Sequence, residues 1–146
     1  MRQNGNMSGR NPLKSVLKVK QQALDKAQEA LARIIASRQQ AEQTAQMAHA
    51  RALMTTPVSS NPGEWILADV AKKRLLEQAA EAERRAESLK QSEVEATEDV
   101  NRAMAEARAV ERLLEQRQLE AKRAEEARER KALDETASLR YFRSRQ

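Results

Sequence analysis

The 146-residue chain carries a net charge of +5 with 34% charged residues, only 2% aromatic residues and no cysteine. Without cysteine there are no disulfides and no thiolate metal ligands, as expected for a reducing cytoplasm. Most of the apolar fraction is alanine, which buries too little surface for a thick globular core but suits a thin seam between close helices.

From the front, "MRQNGNMSGRNPLKS" lacks the apolar stretch of a signal peptide and reads as a flexible basic tail over residues 1–11. Asn11-Pro12 then starts a helix, because Asn caps free backbone N–H groups and Pro at the first helical position has none to strand. Pro57 disfavours helix at Thr56, so the first helix is predicted over 12–54. Residues 55–61 form a turn, and Asn61-Pro62-Gly63-Glu64 repeats the start signal, with Glu64 placed to complete a capping box. A second helix is predicted over 62–141, followed by a short tail over 142–146.

Both helices keep a 3.5-residue apolar repeat. In the first it runs through Leu13, Leu17, Lys20, Leu24, Ala27, Leu31, Ile34, Arg38, Ala41, Ala45, Ala48 and Ala52. In the second it runs through Ala68, Lys72, Leu75, Ala79, Ala82, Ala86, Leu89, Glu93, Ala96, Val100, Ala103, Ala107, Val110 and Leu114. Such a repeat implies a left-handed coiled coil, and a short connection makes the helices antiparallel neighbours. The predicted class is all-α, an antiparallel coiled-coil hairpin whose second helix overhangs the first. Folding back from the turn puts Leu13 opposite a position near 103, so residues from about 104 are expected to lack a partner and to form a docking segment. Homodimerisation through Val110, Leu113, Leu114, Leu119, Leu133 and Leu139 is the plainer alternative.

Residues 1–20 carry five basic and no acidic side chains, residues 64–116 nine basic against thirteen acidic, and residues 117–146 nine against six. The two basic ends should lie together, away from the turn. Enzyme signatures are absent. His49 is the sole histidine and has no nucleophile or acid arranged around it, so it reads as a surface or seam residue. There is no glycine-rich phosphate loop, and no metal or cofactor is expected. No apolar run is long enough to span a membrane. Trp65 at the start of the second helix reads as a hydrophobic staple against Val58 or Ser60. Arg140, Tyr141, Phe142, Arg143 and Arg145 interleave aromatic and basic residues, but the neighbouring acids repel phosphate, so no nucleic-acid partner is expected.

The closing segment "ERKALDETASLRYFR" resembles the end of the flagellar export protein FliJ family, through Glu129, Arg130, Lys131, Leu133, Asp134, Glu135 and Arg140. The opening "LKSVLKVKQQALDKAQEALA" is similar to that family's first helix, with Leu13, Val16, Leu17 and Leu24 at its apolar positions. The resemblance implies a non-enzymatic cytoplasmic component of the flagellar type III export apparatus, at the cytoplasmic face of the basal body. It implies an antiparallel coiled coil that acts as a stalk in the hexameric export ATPase, similar to the gamma subunit of rotary ATPases. Contacts with the export gate protein FlhA and with export chaperones are implied too, with at most a peripheral place at the membrane through the gate. Arg128, Arg130, Lys131, Asp134, Glu135 and Arg140 would then be the ring contacts, and Arg51, Trp65 and Leu75 the gate contacts. A stalk of a virulence-type secretion ATPase would have the same shape.

Overall fold

A computed structural model describes residues 12–57 and 60–145, so the N-terminal tail expected over 1–11 and the staple partner Val58 lie outside the described residues. It contains two α-helices, α1 (Pro12–Met54) and α2 (Pro62–Arg145), packed as an all-α hairpin. At the start of α2 the Gly63 N–H donates to Asn61 Oδ1 at 3.0 Å, so Asn61 is the N-cap that its sequence context suggests. Glu64 in the first turn and Arg143 and Arg145 in the last complement the helix dipole, and α2 continues through 142–145, which the sequence reading assigned to a tail.

The heptad positions are the ones that burial selects. Ala41, Ala45, Ala48 and Ala52 of α1 and Ala79, Ala82, Ala86, Ala96, Val100 and Ala107 of α2 are buried, while the leucines and isoleucine of the repeat are half-buried. Lys72 is the one repeat position that stays exposed.

The chain divides into two compact units. In the unit spanning Gln22–Ala103, His49 Nε2 lies 2.6 Å from Glu83 Oε1, and both occupy e positions of the repeat. In an antiparallel coiled coil an e–e pair brackets two a–d layers, here Ala45 with Ala82 and Ala48 with Ala79. Extending that register puts Ala41 level with Ala86, Leu31 with Ala96, Leu24 with Ala103 and Ala52 with Leu75. Leu24, Leu31 and Leu75 thus sit across from small residues, and three successive layers are all alanine, where the axes can approach most closely. The grooves flanking those layers obey the same register: Ser37, Gln40, Thr44, Gln78, Glu81 and Arg85 line one flank. Glu42, Gln46, His49, Glu83, Glu87 and Lys90 line the other.

In the unit of residues up to Gln21 with Met104–Gln146, Lys20 Nζ meets Glu106 Oε2 at 3.0 Å. The same type of pairing puts Leu13 level with Leu114 and Leu17 with Val110, all half-buried. Pairing therefore continues about ten residues further than the expected limit near 104, and every residue over 115–145 is exposed. The reason lies at the other end of α2. Met54 lies level with about residue 73, so the opening three turns of α2 extend past the end of α1. Counting pairs outward from the middle of the turn misses that offset.

Candidate functional site

Two surfaces remain once the hairpin has used its seam. The first is the helix from Glu115 to Arg145, which contains all six expected ring contacts, every one exposed. At about 100° per residue, Arg128, Lys131 and Glu135 fall on one face of this helix. Arg130 and Asp134 stand one turn apart on the adjoining face, and Arg140 stands about 80° or more from either group. The structure therefore does not gather the six into one patch; it displays them around a bare helix. Arg128 Nη2 donates to Glu125 Oε2 at 2.9 Å. Near the end, Tyr141 and Phe142 meet edge to face at a centroid separation of 6.2 Å. The Arg145 guanidinium lies 5.2 Å from the Tyr141 ring centroid, a cation–π contact.

The apolar residues of this segment do not make the stripe that a homodimer would need. Leu119 and Leu133 share one side, but residues 120–132 hold no apolar side chain larger than alanine, and Leu139 and Phe142 lie on the opposite side. Coiled-coil pairing needs repeated apolar contacts on one seam, and this helix offers isolated ones.

The second surface is the turn end. Of the three expected gate contacts, Arg51 and Trp65 are exposed. Leu75 is half-buried at a seam position, where the register sets it level with Ala52, so the hairpin itself uses that side chain. Sequence reasoning missed the residues around Trp65 that are most available. Ile66, Leu67 and Val70 are exposed, as are Leu53 and Met54 at the end of α1. The signal was readable: "WILADV" places Trp65, Ile66, Leu67 and Val70 off the repeat that passes through Ala68 and Lys72. Apolar residues off the seam of a coiled coil face solvent or a partner. Lys72, Lys73 and Arg74 follow within one turn, with Lys73 Nζ 3.1 Å from Asp69 Oδ2.

In the unit spanning Gln22–Ala103 the seam carries a charged cluster. Arg38 Nε donates to Glu93 Oε2 at 2.5 Å, and its Nη1 donates to Glu42 Oε1 at 3.0 Å. The hydrogen bonds to Glu42 and to Glu93 hold the guanidinium's pKa above its usual value. His49 is a flank residue bonded to Glu83, in keeping with its reading as a surface or seam histidine. Among the described residues no group of three or more His, Cys, Asp or Glu is placed to hold a metal ion. Nor, among them, is any helix long and apolar enough to cross a membrane.

A hairpin of two long helices on a thin alanine seam defines a two-helix coiled-coil protein. Residues 9–146 match the family model described as flagellar FliJ protein, and the chain belongs to that family. It is accordingly a component of the flagellar export apparatus, from a family of non-enzymatic export components. No curated protein and no solved structure matches the chain.

Proposed function

We propose that the protein is the stalk and adaptor of the flagellar export ATPase. Its bare C-terminal helix docks in the hexameric ATPase ring, and its turn end reaches toward the export gate protein FlhA at the cytoplasmic face of the basal body. The observation that carries this reading is the helix over 115–145. It is fully exposed, helical to Arg145, and basic in balance, with nine basic against six acidic side chains over 117–146. A single slender helix with charges on every side suits a ring lumen, where the surrounding subunits supply the complementary groups. An asymmetric rod in a symmetric ring contacts each subunit differently. It can bias the ATP cycle only through unequal affinity for the subunits' states, a coupling free energy of the ordinary allosteric kind.

On the same reading the gate contact is the exposed turn end, Arg51 and Trp65 together with Ile66, Leu67 and Val70, with Leu75 supporting from the seam. Chaperones that escort export substrates would use the flanks of the hairpin. The role is non-catalytic and needs no cofactor.

The test is the ATPase activity of the cognate export ATPase with the full chain and with a chain truncated after Leu114. Stimulation of ring assembly and turnover by the full chain alone supports the stalk. No binding and no stimulation by either sinks it. A stable dimer in sedimentation that is lost on truncation would replace it with a homodimeric scaffold. Response of a virulence-type secretion ATPase in place of the flagellar one would reassign the partner.

A further inference from the structure

The alanine layers near the turn cannot by themselves choose their register. Sliding α1 by one heptad toward the turn, about 10 Å, brings Ala41 level with Ala79, Ala45 with Leu75 and Ala52 with Ala68. Those layers are small and apolar, and the one between the last two sets Ala48 against Lys72, whose long side chain can carry its ammonium out of the seam. The connection also allows the slide. In the native register it spans about 17 Å along α2 with eight Cα–Cα steps, and in the slipped register only about 6 Å. A slide the other way would need about 27 Å along the axis plus the 8–10 Å between the helices, which is at or beyond the reach of that segment. One alternative register is therefore open, and neither the turn nor the alanines oppose it.

What opposes it is charge. Arg38 and Glu93 occupy adjacent layers of the seam, against Leu89 and Ile34, and meet across it. Their side chains are 21% and 27% exposed, and Glu42, one turn from Arg38, holds the guanidinium from its own helix. In the slipped register Arg38 would face Ala82 and Glu93 would face Ala27, leaving each in an apolar layer with its cross-strand partner moved away. A half-buried charge that loses its cross-strand partner is costly, and polar positions in the seam are the best-attested way for a coiled coil to specify register.

We infer that Arg38, Glu93 and Glu42 form a register lock, which holds the alanine arm of the hairpin against a one-heptad slide toward the turn. The lock lies at the surface of the seam, within reach of a partner. A partner that offers a cation to Glu93 competes with Arg38 and releases the arm, moving the end of α1 by two turns relative to α2. The inference stands on seam geometry alone and does not depend on the export role.

The absence of cysteine makes the register directly readable. Ala45→Cys with Ala82→Cys reports the native register by disulfide formation, and Ala45→Cys with Leu75→Cys reports the slipped one. In the otherwise unchanged chain the native pair should form at least about tenfold more readily. Arg38→Leu with Glu93→Leu keeps the seam packed, so the chain stays folded, and the native preference should collapse by about tenfold or more. Arg38→Lys with Glu93 intact, which keeps a cation opposite the carboxylate, should keep most of the native preference. If the Leu–Leu variant, helical and melting cooperatively, still forms only the native disulfide, the alanine seam sets its own register and the lock is refuted.

Discussion

Residues 75–103 and residues 115–145 belong to one helix and draw on nearly the same amino acids, yet different forces keep them helical. The first stretch places Ala79, Ala82, Ala86, Ala96 and Val100 in a buried seam. It is helical because leaving that state would expose the seam of both helices at once, so its stability is cooperative. The second stretch buries nothing. Its helicity rests on alanine, glutamate, lysine and arginine propensity, on dipole-matching arginines at the end, and on pairs such as Glu125 with Arg128. A helix of that kind gains its structure residue by residue and can lose it the same way. The lesson is that helix in the paired stretch reports tertiary structure, whereas helix in the bare stretch reports composition. Only the bare stretch can give its whole circumference to a partner.

The largest expected difference between the two comes from adding bulk. Ala82→Leu forces a side chain into the all-alanine layers, where the helices have no room, and should cost about 1–3 kcal/mol of global stability. Ala124→Leu on the bare helix should leave global stability within about 0.5 kcal/mol. Urea titration followed by circular dichroism measures both. Equal losses would mean that the bare helix is packed against something, and the contrast would fail.

A smaller effect should come from the caps and propensities. Asn61→Ala removes the oxygen that accepts the Gly63 N–H and should cost about 1 kcal/mol, since it loosens the start of α2 where the hairpin turns. Ala127→Gly should cost the bare helix up to about 1 kcal/mol locally, yet leave the midpoint of the cooperative transition in place. Amide exchange would resolve the two: faster exchange confined to residues near 127 sharpens the contrast, and a fall across 79–100 breaks it.

Much of the hairpin was legible in the sequence, because its cause is periodic. Both helix starts are written in Asn-Pro pairs, and every repeat residue from Leu13 to Ala52 is buried or half-buried. Lys72 departs because it lies past the level of Met54, where α1 no longer covers it. The depth of pairing was not legible, because an offset between the turn and the first paired layer leaves no mark on a repeat that looks the same after every heptad. That offset carried the limit of the seam from about 104 to Leu114. Arg38 and Glu93 were both visible as repeat positions, but their meeting depends on register, which periodicity does not supply. The exposed Ile66, Leu67 and Val70 were readable as apolar residues out of phase, a signal overshadowed by the tryptophan beside them.

The smallest effect tests the bare helix at its own scale. Arg128→Ala removes the contact with Glu125, a pair at i, i+3 spacing with both side chains well exposed. Such pairs contribute about 0.2–0.5 kcal/mol in low salt and less as salt screens them. Global stability should not change measurably, and the helical signal should fall slightly in low salt and not in high salt. If Arg128 contacts the ATPase ring, the same substitution should weaken that docking far more than it changes the free chain. There the surrounding subunits desolvate the guanidinium and leave a partner unpaired when it is gone. A loss of global stability with unchanged ring binding would reverse the assignment, and would move Arg128 from the partner's interface into the fold of the chain itself.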